Sequence, residues 1–270
     1  MKKILAILLA ALMLVAFAAC GAKKDDTAAK ATETAAAADS DLAYIKENGK
    51  LVVGITDYAP MDFKDDKGEW TGFDAEFATA VAEKLGVKVE FVEIDWDNKF
   101  LELKTKSIDC IWNGMTITKE VTKNTNCTKA YAKNEQVVVI AADKAASIKA
   151  VEDLKDLTFA VEKGSAGETA ATDNGLKTTA VQNQTNALLE VKAGSVDACI
   201  IDSTMADTMT GEGTSYADLA KAISLTNEKY GIGCRQGSDL TDTLNKYIDE
   251  MKADGTLAKL AEKYEIALAD

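Results

Sequence analysis

The chain contains no histidine, one proline (Pro60) and one arginine (Arg235). Without histidine there is no Ser-His-Asp triad, no imidazole acid-base chemistry and no His-ligated metal. Lysine and arginine together number 31 against 44 acidic residues, a formal net charge of −13 over 270 residues. So acidic a chain lacks the dense positive charge that phosphate backbones require, and nucleic acid is not an expected partner. The longest apolar run, residues 4–19, falls short of the ~20 residues of a membrane-spanning helix. What is present, 47% hydrophobic and 28% charged residues, is the composition of a globular protein with room for two ordinary domains.

Lys2 and Lys3 precede that apolar run, which ends in Phe17-Ala18-Ala19-Cys20. Two positive charges, a short apolar core and small residues before a cut are the layout of a secretory signal. Small residues directly before a cysteine resemble a bacterial lipobox, which implies that Cys20 carries a diacylglycerol group and becomes the mature N-terminus. An ordinary secretory signal that happens to precede a cysteine is the plainer alternative. Residues 21–41 are rich in Ala, Lys, Asp and Thr and hold no bulky apolar side chain. They read as a flexible tether, because such a stretch buries too little to offset its chain entropy. The expected organisation is a signal peptide at 1–19, a lipidated cysteine and tether at 20–43, and a folded body beyond.

In the body, strands are expected at 50–54, 87–92, 109–112, 136–141, 158–161, 198–202 and 230–234. Phe73, Phe77, Val81 and Leu85 recur every fourth residue, so 72–85 reads as an amphipathic helix closed by Gly86. A shorter helix at 185–192 is closed by Gly194, and 239–264 reads as two helices broken at Asp254-Gly255. Strands alternating with helices imply an α/β fold with largely parallel sheets. Cys110, Cys127, Cys199 and Cys234 allow three pairings, among which the sequence does not choose. As small buried hydrophobes they need no partner. Their spacing does not suggest a zinc site, and no metal or cofactor is expected.

Six stretches in order resemble the extracellular solute-binding proteins of family 3, the polar-amino-acid type that feeds ABC transporters. They are GKLVVGITDYAP at 49–60, FKDDKGEWTGFD at 63–74, SIDCIWNGMTIT at 107–118, VEKGSAG at 161–167, VDACIID at 196–202 and KADGT at 252–256. The resemblance implies a two-lobed periplasmic-binding-protein-like (type II) fold. Lobe 1 would comprise 44–135 and 229–270, lobe 2 would comprise 136–228, and hinge crossovers would fall near 131–138 and 226–231. It further implies a monomeric, non-catalytic receptor at the outer face of the cytoplasmic membrane. Such a receptor closes on a small polar solute, an amino acid or amine, and passes it to a permease and ATPase complex.

The same resemblance assigns the cleft residues. Tyr58 and Trp96 match aromatic positions that stack on the ligand, where a ring face can also hold a cation; the alternative is core packing, the role expected of Trp112. Asn113, Gly114 and Thr116 match a turn that meets the ligand carboxylate, or else form an ordinary strand-to-helix turn with a threonine cap. Ser165, Ala166 and Gly167 precede a helix whose free N–H groups favour an anionic group, or else belong to an ordinary strand-to-helix turn. Asp202, at the end of an apolar strand, matches the carboxylate that pairs with the ligand ammonium; the alternatives are a cap for residues 203–209 or a solvated strand end. A charge placed there requires a partner. Asp57 and Glu162 are further acidic candidates.

One position departs from the family. The arginine that usually follows the second threonine of the Thr-Ile-Thr pattern by three residues is replaced by Val121. The carboxylate is then met by Asn113, Thr116 and loop N–H groups, with a lysine such as Lys119 or Lys163, or the ligand is an amine, or it is of another class. A small dehydratase-like enzyme, with a carboxylate such as Glu162, Asp57 or Asp202 as acid or base, and a sensory receptor are the rival functions on this fold.

Overall fold

The computed structural model describes residues 40–270; the signal segment, Cys20 and most of the expected tether lie outside the described residues. Fourteen strands follow in chain order. They are β1 (Lys50–Ile55), β2 (Phe63–Lys64), β3 (Trp70–Thr71), β4 (Lys88–Glu93), β5 (Cys110–Ile111), β6 (Asn126–Cys127) and β7 (Ala132–Asn134). Then come β8 (Gln136–Ala141), β9 (Thr158–Glu162), β10 (Lys177–Val181), β11 (Ala198–Asp202), β12 (Leu219–Ser224), β13 (Glu228–Tyr230) and β14 (Gly233–Cys234).

Two five-stranded sheets result, ordered β4-β1-β5-β14-β6 and β10-β9-β11-β8-β12, and the molecule is two-lobed. Between them β7 and β13 pair antiparallel, with Glu228 opposite Asn134 and Tyr230 opposite Ala132. The sheets are mixed rather than largely parallel. In each, two pairings are parallel and two antiparallel: β14 runs against β5 and β6, and β8 runs against β11 and β12. Alternation of strand and helix predicts parallel pairing only while the chain stays in one lobe. The strands that follow each crossing, β8 and β14, enter from the ribbon and run the opposite way. For the same reason the single strand expected at 230–234 is two, and the chain changes partners at Gly231-Ile232.

Side-chain periodicity fixes the helices well. The helix Phe73–Leu85 buries Phe73, Phe77, Ala78, Val81 and Ala82, and stops where Gly86 takes a left-handed conformation. The helix Gln184–Ala193 starts with the Asn183 side chain accepting from Asn186 N–H at 2.8 Å and ends at Gly194. The C-terminal pair, Leu240–Ala253 and Thr256–Tyr264, breaks at Asp254-Gly255 as expected. Trp112 is fully buried edge-on to Phe77, with ring centroids 4.8 Å apart. The four cysteines of the body are free, and burial raises the thiol of each.

The folded body begins earlier than residue 44. Ser40 caps a helix over Asp41–Asn48, its Oγ accepting from Ala43 N–H at 3.0 Å. Asp41 is buried and accepts both contacts of Arg235 Nε at 3.0 Å. A polar run thus ends in a structural anion, which low hydrophobicity alone does not reveal. No helix among the described residues is long and apolar enough to cross a membrane.

Candidate ligand-binding cleft

A cavity lies between the lobes, lined by Trp96, Asn113, Gly114, Thr116, Glu162, Ser165, Ala166 and Asp202 of the expected set. Lys99, Val121 and Gln184 join them. Its walls are in contact. Lys99 Nζ on the first wall donates to Gly164 carbonyl on the second at 2.8 Å, and Lys163 pairs with Asp97 at 2.8 Å. Gly164 has φ +73°, and a Cβ there would stand 3.0 Å from Asp97 Cα, so glycine serves both the turn and the closeness of the walls.

Asp202 forms the floor. It ends β11, where the burial that makes the strand also strips water from the carboxylate. Oδ1 accepts from Gln136 Nε2 at 2.8 Å, from Tyr230 OH at 2.9 Å and from Asn134 Nδ2; Oδ2 accepts from Gln184 Nε2. All four donors are neutral. Burial, with the Glu228 charge nearby, pushes the Asp202 carboxyl up to about 7 despite them. Glu228 shares two of the amides: its Oε2 accepts from Asn134 Nδ2 at 3.2 Å, Gln136 Nε2 at 3.0 Å and Thr116 Oγ1 at 2.8 Å. The floor is a negative cluster held by dipoles, without a direct cation.

Glu162 ends β9 on the second lobe and is 3% exposed, and its Oε1 has no hydrogen-bond partner. Burial foremost, then Asp202, pushes it up to about 8, while Lys99 and Gln184 act in the opposite direction. Lys99, also buried, donates to Trp96 carbonyl at 3.1 Å as well as to Gly164. Its ammonium lies 5.0 Å from the Trp96 ring centroid and 4.7 Å from that of Phe100. Desolvation lowers its pKa, against the fields of Glu120 and Glu162.

The turn expected to meet a carboxylate is committed internally. Asn113 accepts from Thr56 N–H at 2.5 Å and donates to Thr56 Oγ1 at 3.0 Å. Gly114 N–H donates to Asp74 Oδ2 at 2.6 Å, and the Thr116 hydroxyl donates to Glu228. Ser165 caps the helix Ala166–Asp173, accepting from Glu168 N–H at 3.1 Å, which leaves the Ala166 N–H at the cavity wall without an intrahelical acceptor.

Three expected residues lie outside the lining. Tyr58 is buried behind Gly114, its hydroxyl bonded to Tyr230 OH at 2.5 Å and to Thr204 Oγ1. Gly167 packs against β11, where a Cβ would come 2.8 Å from Ile200 carbonyl. Asp57 meets the second lobe through its carbonyl, which accepts from Thr185 Oγ1 at 3.4 Å. Burial and the Glu93 charge raise its carboxyl. Sequence reasoning missed Lys99, Gln184 and Glu228. Lys99 stands three residues after Trp96, on one helical face with it, and that spacing was the available signal. Gln184 and Glu228 carried none.

Two lobes joined by a two-stranded ribbon, with buried polar groups converging on the cavity between them, define a solute-binding protein. The sequence model of bacterial extracellular solute-binding proteins, family 3, matches residues 51–266, and the chain belongs to that family. It is 33% identical over 268 residues to the L-cystine-binding protein TcyA of Bacillus subtilis, covering 98% of this chain and 97% of that one. It is 30% identical to the arginine-binding extracellular protein ArtP of the same organism, covering 98% of each. The crystal structure of an ancestral amino acid-binding protein, AncCDT-1, a precursor of cyclohexadienyl dehydratase, superimposes with a TM-score of 0.77 at 37% identity, over 83% of this chain and 99% of that one.

Proposed function

We propose that the protein is the substrate-binding component of an ABC importer and captures an amino acid or a close derivative. The observation that carries this reading is Asp202: a buried carboxylate on the cavity floor, held by four neutral donors and facing the space where a ligand ammonium would complete its charge. The names of relatives that bind cystine and arginine support it. In this reading the ribbon of β7 and β13 is the hinge, 44–135 with 229–270 and 136–228 are the lobes with Ser40–Ala43 added to the first, and the lobes close on the solute. Asp202 and Glu162 take the cationic group, Trp96 covers the solute, and Asn113, Gly114, Thr116, Ser165 and Ala166 shape the cavity. Tyr58, Asp57 and Gly167 act from behind it.

Cys20 carries the lipid and residues 21–39 the tether, so that a monomer stays at the outer face of the cytoplasmic membrane beside its permease and ATPase. Cys20→Ala releases it from the membrane fraction if so, and continued detergent dependence contradicts the anchor. Glu162, a buried acid at the cavity wall, is the group on which an enzymatic reading would rest.

A thermal-shift panel of amino acids, their amides and simple amines, on protein unfolded and refolded to strip captured solute, tests the function. A ligand at a thousand times its Kd adds ~4.1 kcal/mol, about 8–16 °C for a body of this size. A shift with amino acids, and recovery of the compound unchanged, is the expected result. Conversion of the compound would establish an enzyme, and a shift with amines alone would change the ligand class.

A further inference from the structure

A buried ammonium requires an anion or a full set of acceptors, because desolvation of the charge costs several kcal/mol otherwise. Lys99 has neither within the protein. Its two acceptors are the carbonyls of Trp96 and Gly164, and the carboxylates of Glu120 and Glu162 act on it only through their fields. An ammonium carries three N–H groups, so one has no acceptor in the protein beyond the Trp96 and Phe100 rings, and the residue lines the cavity. Glu162, which lines the same cavity, has a buried and unpartnered Oε1. One ammonium and one carboxyl, each with an atom short of a partner, thus line one space.

The groups of the first wall expected to meet a carboxylate are engaged elsewhere: Asn113 on Thr56, Gly114 N–H on Asp74 and the Thr116 hydroxyl on Glu228, while Thr118 Oγ1 accepts from Val121 N–H and is an uncharged donor at most. Val121 offers only hydrocarbon. We propose that Lys99 is the anion-binding group of the cleft: its free N–H and charge hold the carboxylate of the solute, while its bond to Gly164 ties that contact to closure of the lobes. This rests on the amino-acid reading above and adds the group that recognises the carboxylate. Glu162 and Asp202 line the same cavity and are the acids left for the ammonium end, so the cavity is matched to a zwitterion. Because one side chain bridges both walls, it selects the solute and reports its presence to the second lobe. A lysine used only as a latch would behave differently, since it would favour every ligand equally.

The test uses purified protein, stripped by refolding, and calorimetric titration with L-arginine, L-cystine, L-histidine and L-glutamine, each beside its own α-carboxamide. The amide keeps the ammonium and the side chain but loses the negative charge. Wild type is expected to prefer at least one free acid over its amide by tenfold or more. Lys99→Met should abolish that preference by weakening the acid at least tenfold while leaving the amide within about threefold. Lys99→Gln, which retains a donor, guards against a folding defect and should behave the same way, with melting curves confirming the fold.

An acid preference that survives in both variants overturns the proposal and leaves the amino-acid reading standing. Equal loss for acid and amide makes Lys99 a latch and also overturns it. Wild-type protein that binds amides as well as acids contradicts it through the ligand class. Silence from all eight compounds removes the amino-acid reading and the proposal together.

Discussion

Two basic side chains are drawn into this body, Lys99 buried and Arg235 largely so, and the protein uses them in opposite ways. Arg235 is sated. Nε meets Asp41, one terminal nitrogen donates to the carbonyls of Leu103 and Ile108 at 3.3 and 2.6 Å, and the other reaches Asp109 at 3.1 Å. Its guanidinium therefore fastens the first helix to the sheet and is spent on the fold. Lys99 is left short of an anion at a cavity wall. Burial alone does not mark a binding residue; what distinguishes the two is whether the partners are already inside the protein. The acids divide the same way. Asp109 is paired with Arg235, whereas Glu162, which lines the cavity, has an oxygen without a partner.

The contrast breaks most visibly at Arg235. Arg235→Met leaves Asp109 without a cation and Asp41 with only the longer contact to Lys106 at 3.8 Å, and should cost about 3–5 kcal/mol of stability, the usual cost of halving a buried pair. Urea unfolding measures this, and the acid-over-amide preference should survive in the folded fraction. A chain begun at residue 44 lacks Asp41 and should lose stability relative to one begun at 40, though less, because Asp109 remains.

Asp202→Ala should reduce affinity by about two orders of magnitude, the effect of removing one partner of a buried charge pair. It should also lower stability by about 1–3 kcal/mol, because the Gln184 amide loses its acceptor while that of Gln136 keeps only Glu228. A variant with unchanged affinity removes Asp202 from the site. Lys99→Met, by comparison, should change urea stability by no more than about 1 kcal/mol, since two hydrogen bonds are lost but a buried, unpaired charge is relieved. A loss as large as that of Arg235→Met would erase the distinction between the two cations.

The remaining contrast is one of pH. Glu162 and Asp202 are raised to about 8 and about 7, so the folded, ligand-free protein holds protons that the unfolded chain has already released above its ordinary carboxyl values. Their contribution to stability is full in acid and is lost as pH rises through 7 and 8. Melting should therefore be lower at about pH 8.5 than at about pH 5.5 on account of these two groups. Glu162→Gln should flatten the alkaline part of that slope, and an unaltered slope would contradict the burial of Glu162 without a partner.

Much of this architecture was legible in the chain. The four-residue recurrence of Phe73, Phe77 and Val81 and the glycines at 86 and 194 mark helix bodies and ends, because local sterics and one buried face decide them. Strand β11 and its terminal aspartate stood out as an apolar run closed by a charge. What escaped depends on distant partners. That Asn113 and Gly114 serve Thr56 and Asp74 rather than a ligand is set by residues about 40–57 positions away in sequence. Glu228 reaches the floor only because β13 lies beside β7. The position of Lys99 against Gly164, 65 residues on, exists only when the two walls meet. Asp41 is hidden similarly, since a polar run reads as a tether until Arg235 is seen across from it.

The most direct measurement is a crystal structure of the refolded protein with a bound amino acid from the panel. The solute carboxylate should lie within hydrogen-bonding distance of Lys99 Nζ, with the bond to Gly164 retained and the ammonium toward Asp202 and Glu162. A carboxylate held elsewhere in the cleft, with Lys99 still satisfied only by the Trp96 and Gly164 carbonyls, would contradict it.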